Sequence, residues 1–415
     1  MTDLPGSAPT PPEPAGSPLS LADYEAAAEA ALPTPVWDYI AGGSGAETTL
    51  AANRAALDRI GLLPRVLAGV VAPDTRARIL GVRDGSDARG MGFRATSPPT
   101  VRVGAGAGAS AMPVAVAPMA YQRLVHPDGE LAVATAAAAA GVPYAISTMS
   151  SYPIEEIAAI GGDVWFQLYW LRERHVVRSL VARAEQAGCS ALMLTADLPV
   201  MARRLRDLRN SFALPADVVA ANLVPEATGE AGDEPSMAHH AVERTSAVAA
   251  HTNLAFEPAL SWQDLRWLRE QTDLPLVVKG ILDPRDAELA VDVGADAVVV
   301  SNHGGRQLDG AAASVTALGA VVEAVQGRCQ VLMDSGIRSG VDVLRALALG
   351  ASGVLLGRPV LWALAVDGER GVGAALSLLH QELREAMTLA GCADLAAAND
   401  VHTVTLGGAH GRDPF

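Results

Sequence analysis

Cysteine is scarce in this chain. The three present, Cys189, Cys329 and Cys392, are far apart, odd in number and without metal-type spacing. That argues against a disulfide framework and fits a reducing, cytoplasmic setting. Aromatic residues are also few, at 4%. The core must then rely on small aliphatic side chains, as when helices cover a parallel sheet. No apolar run is long enough to span a bilayer, so no membrane partner is expected. Met1 to Ser20 is rich in Pro, Gly and Ser and lacks the apolar stretch of a secretory signal, so it reads as a disordered tail. Positive charge is in deficit, with a net charge of −15 over 415 residues. The cluster Arg203-Arg204-Leu205-Arg206-Asp207-Leu208-Arg209 is too short and mixed to make a basic stripe. A nucleic-acid partner is therefore excluded, and the acidity serves solubility.

What the chain has is a strand–helix alternation. Half its residues are hydrophobic, enough for a large core. Eight short apolar runs, each followed by polar or Gly-rich residues, predict strands at Val114–Ala117, Tyr144–Ser147, Val164–Tyr169, Ala191–Thr195, Leu276–Lys279, Ala297–Ser301, Gln330–Asp334 and Gly353–Leu356. Helical stretches lie between them, for example Asp128–Ala140, Pro284–Val293 and Gly340–Leu349. Eight such units with right-handed crossovers predict an α/β fold, the (β/α)8 TIM barrel. A doubly wound open sheet is the second choice, since it rarely needs eight repeats.

Residues 21–60 read as a helical N-terminal extension, with Ser20 as its N-cap. The barrel domain spans about 21–400, and 401–415 reads as a C-terminal tail. Residues 81–110 are Gly- and Arg-rich. Their run Gly104-Ala105-Gly106-Ala107-Gly108 lacks the flanking strand and helix of a nucleotide loop, so it reads as a flexible insertion. A long connection over residues 205–260 follows the fourth strand and reads as a mobile loop at about 211–255. Within it, Glu226 to Glu234 is acidic. His239 and His240 are adjacent, with no carboxylate at ligand spacing, so no metal site is expected.

Chemistry in such a barrel gathers at the C-terminal ends of the strands. The richest end is Ser301-Asn302-His303-Gly304-Gly305-Arg306-Gln307-Leu308-Asp309-Gly310. A His can take a proton near neutral pH. An Arg can hold a carboxylate through paired hydrogen bonds, and glycines let the backbone approach a ligand. This points to an enzyme acting on a small organic acid. The other ends are polar too: Ala120 and Tyr121, Ser147 and Met149, Gln167 and Tyr169, Thr195 and Asp197 with Arg204 beyond, Lys279, then Asp334-Ser335-Gly336-Ile337-Arg338 and Gly357-Arg358. Arg338 and Arg358, with the backbone at Gly336 and Gly357, suit a phosphate at the last two strands.

The His303 segment resembles the active-site signature of the FMN-dependent 2-hydroxy acid oxidases and dehydrogenases, and the resemblance runs from about Leu21 to about Leu395. It implies FMN as cofactor. Ser147, Gln167 and Thr195, with backbone around Ala120, would hold the flavin ring, and Lys279 would sit beside it. Ser301 and Ser335 would lie on the cofactor side, Asp334 would hold the ribityl chain, and Arg338, Gly336, Gly357 and Arg358 would take the phosphate. The resemblance also implies His303 as catalytic base, Asp197 as its partner, and Tyr169 on the substrate's 2-oxygen. Arg306 with Tyr39, or alternatively Arg204, would bind the carboxylate. Tyr39 is chosen because Asp38-Tyr39-Ile40-Ala41-Gly42-Gly43 resembles the family's N-terminal motif. Whether electrons leave as hydride or through a carbanion stays open.

Within the family, Thr49-Leu50-Ala51-Ala52-Asn53 and His126-Pro127-Asp128-Gly129-Glu130 resemble the hydroxymandelate oxidases. Met149 stands where glycolate oxidases carry a bulky Trp. The expected substrate is an aryl, mandelate-like 2-hydroxy acid, with lactate, glycolate or a specialised biosynthetic intermediate as alternatives. Ala120 favours release of the 2-oxo acid and peroxide, with O2 as acceptor. A tetramer or octamer is implied by resemblance. The chain departs from the family at Ser335, where Gly is common, at Ala196 and Leu198, and in the 81–110 insertion. Isopentenyl diphosphate isomerase, on a related FMN barrel, and a flavin-binding protein without catalysis are remote readings.

Overall fold

A computed structural model describes residues 18–80, 109–223 and 246–407, the side chain of Ala250 aside. The Gly104–Gly108 run, the acidic stretch Glu226 to Glu234 and the His239-His240 pair lie outside the described residues. The strands are β1 Ile60–Leu62, β2 Val114–Val116, β3 Tyr144–Ser147, β4 Val164–Leu168, β5 Ala191–Thr195, β6 Leu276–Ile281, β7 Ala297–Val300, β8 Gln330–Met333, β9 Gly353–Leu356 and β10 Thr403–Thr405. Strands β2 to β9 pair in chain order, all parallel, and β2 pairs with β9 to close the barrel. The expected (β/α)8 fold is thus formed from the eight expected runs.

Side-chain alternation sorts each strand between two cores. Ala115, Ala145, Trp165, Met193, Val277, Val299, Leu332 and Leu355 form an inner cluster. Their strand neighbours Val116, Ile146, Phe166, Leu194, Val278, Val300, Met333 and Leu356 join the outer core shared with the helices. Small and large residues mix inside, so Trp165 fits at 0% exposure. Truncating a buried Trp of this kind costs about 3–5 kcal/mol. Ala77, Ile79 and Leu80 belong to the same inner cluster and plug its lower end. Gln330 fastens the plug: its Nε2 donates to the Arg78 carbonyl at 2.9 Å, and Leu80 N–H donates back to its Oε1 at 3.1 Å.

The N-terminal extension divides into helices Leu21–Ala31, Thr34–Ala41 and Thr48–Asp58. Ser20 caps the first, in a capping box with Asp23. Pro33 and the Gly42-Gly43 pair break the expected helical stretch where the chain cannot continue a helix. The extension is fastened to the loop after β7. The Asp309 carboxylate accepts from Ala46 N, Thr48 Oγ1 and Thr49 N at 2.8, 2.6 and 3.0 Å. Asn53 and Asn302 exchange side-chain hydrogen bonds at 2.9 and 2.7 Å.

Two features differ from expectation. The stretch read as a C-terminal tail supplies β10, which pairs antiparallel with β1 outside the barrel. The pairing is long-range, and β10 is only three residues long, so local pattern did not signal it. The long connection after β5 also holds structure: a helix at Leu205–Asn210, a 3-10 turn at Ala221–Leu223 and a helix at Ala247–Ala255 capped by Ser246. Its last part is tied to the exit of β4. Glu257 N donates to Trp170 O at 3.0 Å, and Arg172 N and Nε donate to Ala255 O and Leu254 O at 3.1 and 3.0 Å.

Candidate active site

The inward row of each strand continues into the barrel mouth with a two-residue period. Position 145 leads to Ser147 and Met149, 165 to Gln167 and Tyr169, and 193 to Thr195 and Asp197. Likewise 277 leads to Lys279, 299 to Ser301 and His303, 332 to Asp334, and 355 to Gly357. A single parity therefore points the polar strand ends toward one cleft. Its lining includes Tyr39, Ala120, Met149, Tyr169, Arg204, Lys279, His303, Arg306, Asp334, Ser335, Gly336, Arg338, Gly357 and Arg358. Ser147, Gln167, Thr195 and Ser301 are buried, Asp197 is half-buried, and none of the five lines it. They touch residues that do: Ser147 Oγ accepts from Met149 N, Asp197 contacts His303, and Ser301 contacts Lys279.

His303 Nδ1 donates to Asp197 Oδ1 at 2.9 Å, which leaves Nε2 as the free ring nitrogen. Burial pushes the imidazole below its ordinary pKa, helped by Lys279 and Arg204 and opposed by Asp197. A neutral imidazole is the form able to accept a proton. Burial alone would raise Asp197, but His303 and Lys279 hold it below the ordinary carboxylate value. His303 itself sits at φ 60°, a left-handed backbone that a non-glycine residue rarely adopts. Such strain clusters where geometry serves function.

Gly280 explains how Asp197 reaches this place. It lies at φ 106° where the β6–β7 register shifts, and a Cβ there would fall 2.6 Å from Asp197 Cβ and Cγ. Gln307 clamps the same loop. Its Nε2 donates to the carbonyls of Asp197 and Val200 at 2.8 and 3.1 Å.

Lys279 Nζ lies 3.1 Å from Asp334 Oδ2 and donates to Ser301 Oγ at 2.9 Å. Burial opposes its charge, yet Asp334 and Asp197 outweigh burial and raise its pKa. Arg306 Nη1 donates to the carbonyls of Tyr39 and Gly42 at 2.8 and 2.9 Å. Arg358 donates to those of Ile40, Gly304 and Gly42 at 3.1, 2.9 and 2.9 Å. The helix ending at Ala41 has no basic residue in its last turn, so these two arginines serve its orphan carbonyls. Burial pushes Arg306 and Arg338 down to about 10, still charged at neutral pH. Arg338 stacks on Trp362 with its guanidinium 4.6 Å from the ring centroid.

Among the described residues, Arg204, Arg306, Arg338 and Arg358 have no carboxylate partner within ion-pair distance, although all face one cleft. Arg204 Nε and Gln167 Nε2 are buried without a hydrogen-bond partner. Buried donors of this kind call for an acceptor from outside the protein. The phosphate, ring carbonyls and ring nitrogens of FMN are such acceptors, and so is a substrate carboxylate. The residues present fit both.

Several site residues were not legible in the sequence. Phe212 stacks on Tyr39 at 4.5 Å, and Phe256 stacks on Tyr169 at 4.7 Å. Leu198, Met201, Val248 and Thr252 line the cleft beside Phe256. One signal could have found the aromatics: the chain has only 17 aromatic residues, 6 Trp, 6 Tyr and 5 Phe. Five of them, Tyr39, Tyr121, Tyr169, Phe212 and Phe256, gather at or behind this mouth.

A TIM barrel with this mouth defines a flavin-dependent oxidoreductase. Residues 28–84 and 94–405 match the FMN-dependent dehydrogenase family, and the chain belongs to it, as an enzyme with FMN as cofactor that oxidises a 2-hydroxy acid. It is 51% identical over 385 residues to 4-hydroxymandelate oxidase of Amycolatopsis orientalis, covering 93% of this chain and 98% of that one. It is 44% identical to L-lactate oxidase of a Nostoc species, over 91% of this chain and 96% of the relative. A solved structure of mandelate oxidase with (S)-4-hydroxymandelic acid superposes with a TM-score of 0.83 at 50% identity, covering 93% and 99% of the two chains.

Proposed function

We propose that the enzyme oxidises an aryl 2-hydroxy acid of the (S)-mandelate type to the 2-oxo acid, with O2 reduced to hydrogen peroxide. The observation that carries the chemistry is the 2.9 Å contact between His303 Nδ1 and Asp197. His303 Nε2 takes a proton from the 2-hydroxy acid, and Asp197 stabilises the imidazolium that forms. Arg306 and Arg204 flank the Tyr39 ring, with guanidinium carbons 5.3 and 5.9 Å from its centroid, and bind the substrate carboxylate. Tyr169, which burial pushes up to about 12, stays protonated and donates to the 2-oxygen.

FMN, when bound, accepts the two electrons of the substrate and passes them to O2. Gln167, Ser147 and Thr195 hold its ring, Lys279 places a positive charge beside it, and Asp334 with Ser301 and Ser335 supports that lysine and the sugar chain. Arg338, Arg358, Gly336 and Gly357 take the phosphate. The aryl preference is supported by the apolar wall of Met149, Leu198, Met201, Val248 and Phe256, and by what the similar mandelate oxidases act on. Among the described residues, no helix is long and apolar enough to cross a membrane.

Anaerobic titration of the yellow holoenzyme with (S)-mandelate tests this. Bleaching by mandelate, with colour and peroxide returning in air, is expected. Faster bleaching by glycolate or lactate would overturn the aryl assignment. His303→Ala is expected to keep its FMN spectrum while flavin reduction slows by about 10⁴-fold.

A further inference from the structure

The far wall of the cleft holds one polar side chain that the chemistry above does not use. Val248, Thr252 and Phe256 are spaced four residues apart, so they form one stripe along the helix Ala247–Ala255 and its C-cap. All three line the cleft, while Leu254 on another face is exposed. Around them, Met149, Leu198 and Met201 are apolar. Thr252 is 5% exposed, and among the described residues its hydroxyl has no hydrogen-bond partner.

The position of this helix is held from both sides. Met201 N donates to Asn253 Oδ1 at 3.1 Å. Arg172 holds the carbonyls of Leu254 and Ala255, and Leu171 bridges to Phe256. Phe256 in turn stacks on Tyr169, at the reacting end of the cleft. Thr252 lies one helical turn from Phe256, with their Cβ atoms about 5–6 Å apart. That step is comparable to the length of a benzene ring. A polar group on the ring carbon opposite the 2-hydroxy acid arm would then meet a hydroxyl in otherwise apolar surroundings. A buried hydroxyl able both to donate and to accept suits a phenol.

Resting on the aryl substrate proposed above, we propose that Thr252 is a specificity-determining residue. Its hydroxyl hydrogen-bonds a para-hydroxyl on the substrate ring and makes 4-hydroxyaryl 2-hydroxy acids the preferred class.

The test compares kcat/KM for (S)-4-hydroxymandelate with that for (S)-mandelate in the FMN-loaded enzyme. The wild type should favour the 4-hydroxy acid. Thr252→Val keeps the shape and removes the hydroxyl, and should lower the ratio of the two values by about tenfold, the scale of one neutral hydrogen bond. Thr252→Ser keeps the hydroxyl and should keep the ratio within about threefold. Bound-flavin spectrum and melting temperature confirm that both variants are folded. An unchanged ratio in Thr252→Val overturns the proposal, as does an equal loss in Thr252→Ser, which would assign the effect to packing. A wild type that oxidises only aliphatic acids overturns the aryl reading and this inference together. A wild type that oxidises aryl acids while Thr252→Val leaves the ratio intact overturns the inference alone.

Discussion

The two sides of the cleft are built differently. The cofactor side is made of strand ends: Lys279, Asp334 and Gly357 continue the inward rows of β6, β8 and β9, and Arg338 and Arg358 follow within a few residues. The substrate side is made of pieces brought from far along the chain. Tyr39 comes from the N-terminal extension, and Phe212, Val248, Thr252 and Phe256 come from the long connection after β5. The first side is polar and fixed by sheet hydrogen bonds. The second is mostly apolar and fixed by packing and loop anchors. A barrel can therefore keep one cofactor and change its substrate by altering loops alone. His303 stands where the two sides meet, and its environment is the sharpest place to break the comparison.

The largest effect is expected at Asp197. Asp197→Asn should keep FMN bound, since the cofactor side is untouched, and lower kcat by about 10³–10⁴-fold. Single-turnover flavin reduction measures it, and a loss of FMN instead would show that the two sides are not separable.

Gly280→Ala comes next. Its added Cβ would collide with Asp197, and the φ of 106° is closed to Ala at low cost. A loss of about 2–3 kcal/mol is expected, with a fall in activity as Asp197 is displaced. Thermal melts read the first part and flavin reduction the second.

pH provides a graded test. Since burial holds His303 below its ordinary 6.5, kcat/KM should be level above pH 6.5 and fall tenfold per unit below the lowered pKa, as the imidazole becomes protonated. Asp197 is the group that opposes that lowering, so its charge removal should move the acid limb to still lower pH. A limb moving upward in Asp197→Asn would contradict the assignment.

The smallest effect belongs to the cofactor side. Ser335 sits at φ 76°, a conformation that favours glycine. It is held by donating to Asp334 Oδ1 at 2.7 Å and accepting from Gly304 N at 3.0 Å. Ser335→Gly relieves the strain and loses two hydrogen bonds, so stability should change by less than about 1 kcal/mol. A large shift in FMN affinity in this variant would mean that the serine, rather than the backbone, contacts the cofactor.

The same contrast explains what was readable. Eight apolar runs and their polar ends are local signals, and they gave the barrel, its closure in chain order and the strand-end residues from Ser147 to Gly357. His303, Arg306 and Asp197 could be named because their chemistry is rare at strand ends and their motif resembles a known family. The helix Ala247–Ala255 was hidden inside a connection that read as a loop. Its stripe of Val248, Thr252 and Phe256 looks like any helix face that packs on a core. β1 and β10 were missed because three-residue strands carry too little pattern.

Sequence by itself determined the architecture and the cast of reacting groups. Eight short, continuously apolar runs separated by helical stretches leave a closed parallel barrel as the natural solution, and their polar ends then meet at one mouth. Tertiary structure alone decided the relations between distant segments: that Gly280 makes room for Asp197, that Arg306 and Arg358 serve the carbonyls of the helix bearing Tyr39, and that Thr252 faces the cleft. These join residues some 80 to 320 positions apart in the chain. No local propensity encodes them, because they exist only once the barrel has closed and the loops above it have packed.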